Sequence, residues 1–73
     1  MKTAAMLKFG ESGIITGIDN SHPSARRIIE VGFTPGQHIE LINETAFSDP
    51  LAFSLRGTII AIRRNEADSI YIQ

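Results

Sequence analysis

Residues 26–41 read RRIIEVGFTPGQHIEL, and how these positions are assigned decides the fold. Ala25, Ile28, Ile29 and Gly32 lie at the i, i+3, i+4, i+7 spacing of one helical face, with Ser24 ahead of them as N-cap, so a helix of about two turns is expected. Gly32 is placed to take the left-handed C′ position, and Phe33 then falls at C″, where its ring packs back on Ile28. Thr34-Pro35-Gly36-Gln37 has proline at i+1 and glycine at i+2, the pattern of a type II turn. From Gln37 the period changes to two. Ile39 and Leu41 point one way, and His38, Glu40 and Ile42 the other, as in a half-buried strand.

Upstream, GIITGI (residues 13–18) alternates Ile14, Thr16 and Ile18 against Ile15 and Gly17, a short strand with one filled face and Gly17 at a bulge or close backbone approach. The polar run DNSHPS (19–24) follows as a loop, with Pro23 biasing His22 away from helix. Downstream, ETAFSDP (44–50) is a loop, and Leu51, Phe53 and Leu55 alternate with Ala52, Ser54 and Arg56. Gly57-Thr58 then turns the chain into IIAIRR (59–64), completing a hairpin in which Ile60 and Ile62 oppose Ala61 and Arg63. NEADS (65–69) reads as a polar turn, and IYIQ (70–73) as a last strand with Ile70 and Ile72 on one face. The result is a mainly β domain over residues 1–73, with about five strands and one short helix after the first. A closed or half-closed β-barrel is expected, because closure hides edges that so short a chain cannot otherwise cover.

With 42% hydrophobic and 21% charged residues, the 73-residue chain has the composition of an ordinary globular domain. It contains no cysteine, which removes disulfides, thiolate zinc sites and cysteine nucleophiles and fits an intracellular setting. The N-terminal apolar run Ala4–Leu7 is cut by Lys8, too short for a signal peptide, and no run approaches the ~18 apolar residues of a membrane span. A cytoplasmic location without membrane insertion is therefore expected, and the Asn43-Glu44-Thr45 triplet carries no glycosylation meaning there. Net charge is −1 with basic residues scattered among acids, so no nucleic-acid partner is expected.

Gly10, Gly13 and Gly17 match neither the dinucleotide fingerprint nor the P-loop, and no serine sits in a nucleophile turn. Neither catalysis nor a cofactor is expected. His38 and Glu40 share a strand face and are weak metal candidates, because a site needs three or four ligands and Glu11, His22 or Asp49 would have to join them through the fold. At least one of Arg26 and Arg27 projects to solvent, where it can pair with Glu30 or meet a partner. Phe47 is an aromatic residue that the alternation does not place in the core. The candidate contacts are Arg26, Arg27, Phe47, Leu51 and Arg56, and exposed strand edges make self-association a further expectation.

The order GESGIITGI (10–18), RRIIEVGFTPGQHIELI (26–42) and DPLAFSLRGTIIAIRRNEADSIYI (49–72) resembles the FeoA family of small cytoplasmic proteins that accompany the bacterial ferrous-iron transporter FeoB. The resemblance runs from Leu7 to Ile72 and is carried most by Arg-Arg, Gly-Phe-x-Pro-Gly, Asp-Pro before a strand, and Arg-Gly followed by Ile-Ala-Ile-Arg-Arg. It implies an SH3-like barrel that binds the cytoplasmic GTPase region of FeoB, or an adjacent cytoplasmic loop, and regulates ferrous-iron uptake. Related barrels form the C-terminal module of iron-dependent repressors, so a divalent-metal-responsive regulatory module is the alternative. A third reading has Arg26 or Arg27 serve as an arginine finger for a GTPase. Phe9-Gly10 departs from the Pro-Gly often found in the family.

Overall fold

The computed structural model describes residues 1–43 and 49–73. Its first helix, α1 (Ala25–Glu30), buries Ala25 and Ile28, while Ile29 stays 37% exposed. The helix ends as expected. Gly32 takes φ +125° and donates its N–H to the Ile29 carbonyl at 3.1 Å, and Phe33 donates to Ile28 at 3.1 Å, the pair of bonds of a Schellman cap. Ile28 and Phe33 are both fully buried, so the cap also closes part of the core. The type II turn is present, with Gly36 at φ +89° and the Gln37 N–H on the Thr34 carbonyl at 3.0 Å. Gly36 also donates to Ile15 at 2.7 Å, which fastens the turn to the first strand.

The strands are β1 (Ser12–Ile18), β2 (His38–Leu41), β3 (Leu51–Leu55), β4 (Thr58–Ile62) and β5 (Ile70–Ile72). All pairings are antiparallel, in the order β4-β3-β2-β1-β5. β1 divides its length between neighbours: Ser12–Ile14 face β2, and Ile15–Ile18 face β5. The register slips between Ile15 and Gly17, the bulge expected near Gly17. That slip corrects the facing of this strand. Ile15 is buried and Thr16 exposed, and beyond the bulge Ile18 turns back toward the core, so no simple alternation runs through the strand.

Two local assignments differ from expectation. The β3–β4 turn is Arg56-Gly57, one residue earlier than Gly57-Thr58: both turn residues have positive φ (53° and 75°) and Leu55 faces Thr58, the geometry of a two-residue type I′ turn. The polar stretch after β4 is a one-turn helix, α2 (Arg64–Ala67), with Glu66 and Ala67 buried. Four residues are too few to show a helical period. A 3₁₀ turn at Ala4–Met6 buries Ala4 near the chain start.

The expected barrel closure does not form: the edge strands β4 and β5 do not pair, and the sheet is open. The reason is local. The free edge of β5 is taken by the N-terminal segment, through a bridge between Thr3 and Tyr71 and the Ile72 N–H on the Lys2 carbonyl at 3.0 Å. The core under the curled sheet includes Phe33, Phe53, Ile39, Leu41 and Ile62, and Phe33 meets Phe53 edge to face at 5.9 Å between ring centroids.

Candidate protein-binding surface

Because α1 turns Ala25 and Ile28 inward, Arg26 and Arg27 both project from the opposite side. Their surroundings differ. Arg26 has a 92% exposed side chain and pairs with Glu30 one turn on, at 3.4 Å. Arg27 reaches across to α2 and donates to the Glu66 carboxylate, which is almost fully buried. Glu66 also accepts the Arg63 N–H at 2.9 Å, half of a capping box at the start of α2, and takes a hydrogen bond from the Ser24 side chain.

Burial by itself would raise the Glu66 pKa, but the Arg63 N–H, the Arg27 guanidinium and Ser24 outweigh it and hold the carboxyl down to about 2. Ser24 holds the expected N-cap position, with its carbonyl accepting from Ile28 at 2.9 Å, but its side chain does not cap the helix. Its side chain serves Glu66, and its N–H donates to His22 Nδ1 at 3.0 Å. Glu66 is the residue that sequence reasoning missed. Glutamate three positions after an N-cap is a recognisable signal, but Arg63 is not a residue type that marks an N-cap.

Arg56 lies at the tip of the β3–β4 hairpin and donates from Nε to Gln37 Oε1 at 2.8 Å, which ties the hairpin to the turn after α1. Leu51 is a correction to the candidate set: at 1% exposed it is the first inward residue of β3 and part of the core, so it offers nothing to a partner. Phe47 lies outside the described residues. His38 is exposed on β2 with Glu40 partly exposed beside it, and no group of three metal-ligating side chains forms among the described residues. The exposed large apolar side chains include Met6, Phe9, Val31 and Ile59.

On the opposite side of α2, a shallow hollow is lined by Ala5, Met6, Asp49, Arg64, Asn65 and Asp68. It is held by Thr3 Oγ1 donating to Asp68 Oδ1 at 2.8 Å and by the Arg64 N–H on Asp49 Oδ1 at 2.9 Å. No described helix is long and apolar enough to cross a membrane.

The model of the FeoA domain matches residues 2–73. The chain belongs to the FeoA family. Among solved structures, the FeoA protein from Chlorobium tepidum is 25% identical with a TM-score of 0.83, over 97% of this chain and 68% of that one. A zinc complex of FeoA from Stenotrophomonas maltophilia, described as a prokaryotic SH3 domain protein, is 23% identical with a TM-score of 0.88, over 100% of this chain and 91% of that one. IdeR from T. acidophilum shares the fold at 18% identity and a TM-score of 0.82, and this FeoA chain spans 32% of its length. No curated protein sequence matches the chain.

Proposed function

We propose that this FeoA-family chain is a small cytoplasmic accessory protein of the SH3-like kind, which binds the cytoplasmic GTPase region of FeoB, or an adjacent cytoplasmic loop, and regulates ferrous-iron uptake through protein contacts rather than catalysis. The observation that carries this reading is the family match over residues 2–73. The surface agrees with it: Arg26 and Arg56 stand exposed on α1 and on the hairpin tip. Arg27 is held by Glu66, so a role as arginine finger requires that ion pair to open first.

Calorimetric titration against the soluble GTPase domain of the cognate FeoB, nucleotide-free and nucleotide-loaded, tests the proposal. Nucleotide-dependent binding in the micromolar range, weakened by Arg26→Ala, supports it. Absence of heat in every nucleotide state removes the GTPase region as the contact.

The Stenotrophomonas maltophilia FeoA was solved as a zinc complex, and we infer from this a second reading, a metal-responsive module with His38 and Glu40 as its first ligands. Titration with ferrous or zinc ion, followed by the His38 side-chain resonances, decides it. Unchanged resonances at millimolar metal dismiss this reading.

A further inference from the structure

We propose that the outer edge of β4, Thr58–Ile62, is a strand-addition site for an extended, largely apolar segment of a partner protein that carries acidic residues at the end lying beside Arg63. The inference concerns how a segment is held and does not depend on which protein supplies it. Leu55 and Thr58 close a two-residue turn and so form a hydrogen-bonded pair. Alternation along an antiparallel ladder then directs the backbone groups of Ile60 and Ile62 toward β3 and leaves the N–H and C=O of Ile59 and Ala61 pointing away from the sheet. Neither residue makes another backbone hydrogen bond among the described residues.

The side chains leave the strand accessible. Ile59 is 66% exposed and Ala61 is exposed, whereas Ile62 is buried and Ile60 packs on the core, so one face of the strand is anchored and the other is apolar and open to solvent. Edge strands are usually blunted by charge, proline or a bulge, and TIIAI has none of these. The opposite edge of the sheet is covered, since β5 pairs with the Thr3 segment. One edge is therefore closed by the chain itself and the other is left available for β-augmentation.

Charge selects the occupant. Arg63, exposed and in no ion pair among the described residues, stands at the end of the strand, whereas Arg56 before its start reaches back across β3 to Gln37. A second copy added in two-fold antiparallel register would set Ile60 against Ile60 and Gly57 against Arg63, so the cation meets no acid there. An apolar strand with an acidic end meets the Arg63 cation instead.

The test uses two synthetic peptides of alternating valine and threonine, one flanked by two glutamates at each end and the other by two lysines. Amide hydrogen exchange of the labelled protein is read by NMR. Ile59 and Ala61 should exchange fast in the free protein and slow by about tenfold or more with the glutamate peptide, while Thr58, Ile60 and Ile62 are protected throughout. Arg63→Glu should weaken binding about two- to fivefold, the scale of one exposed ion pair. A glutamate peptide N-methylated on the bonds facing the protein should give no protection at all. Equal binding of the lysine peptide, or protection confined to other amides, overturns the proposal. Protection at Ile59 and Ala61 that grows with protein concentration alone assigns the edge to a second copy and also overturns it.

Discussion

Arg27 on α1 and Glu66 on α2 are joined by an ion pair across 39 residues of sequence, with the arginine half in solvent and the carboxylate almost wholly out of it. The burden of this contact is unequal. Loss of Glu66 strands the Arg63 N–H and the Ser24 hydroxyl, whereas loss of Arg27 leaves the carboxylate two hydrogen bonds and access to water at one side. Glu66→Ala should therefore destabilise by about 2 to 4 kcal/mol and Arg27→Ala by about 1 kcal/mol. Thermal unfolding checks the order, since each kcal/mol moves the Tm of a domain this small by about 4 to 8 °C.

The same carboxyl sets a pH window. Its folded pKa of about 2 lies below the ordinary 4.5, so its contribution is fully present above about 4.5 and is lost as pH falls toward 2. Glu66→Gln should unfold with a flatter dependence between those limits than the unmodified protein, and both should respond alike between pH 5 and 7. Urea midpoints measured across the range provide the comparison.

Leu51 separates a packing role from a binding role. Leu51→Ala should cost about 2 to 5 kcal/mol, the range for a fully buried leucine, whereas Arg26→Ala, on a side chain mostly in water, should change stability by less than about 0.5 kcal/mol. A binding assay in which Leu51→Ala loses affinity while its unfolding curve stays unchanged would return this residue to the surface.

Gly32 and Arg56 both occupy the left-handed region, and substitutions there should act in opposite directions. Gly32→Ala puts a Cβ 3.1 Å from Leu55 Cδ1 at a φ that alanine disfavours, and should destabilise by about 1 to 2 kcal/mol. Arg56→Asn supplies the Asn-Gly pair that a type I′ turn prefers and should stabilise by about 0.5 kcal/mol, despite losing the exposed bond to Gln37. Chemical denaturation of the two variants side by side reads both signs.

Legibility in the sequence followed the strength of local signals. The Schellman cap at Gly32-Phe33 and the turn at Pro35-Gly36 each rest on one or two residues with a narrow conformational preference, the alternation through β3 on a period of two sustained over five residues, and each stands where it was expected. The facing of β1 did not, because a one-residue bulge inverts every later side chain and Gly17 announces the bulge without saying which residue is extra. Closure was also unreadable from the strands themselves. What fills the β5 edge is residues 2–3, a segment without strand periodicity that is held by a partner nearly 70 positions away. In the candidate surface, helical spacing alone placed at least one of Arg26 and Arg27 outward. Leu51 could not be told from an interface residue until its strand had a core to face, and Glu66 acquires meaning only when α1 and α2 meet.

The division of β1 between β2 and β5 has a consequence for assembly in time. The half of the strand around Ile15–Ile18 acquires its partner only when Ile70–Ile72 exist, so synthesis at roughly 5 to 20 residues per second leaves it waiting for several seconds after it is made. Toward the end of that interval the outer edge of TIIAI and the β5-facing half of β1 both lack a neighbour in one chain, so the last three-residue strand is what removes the opportunity for them to meet.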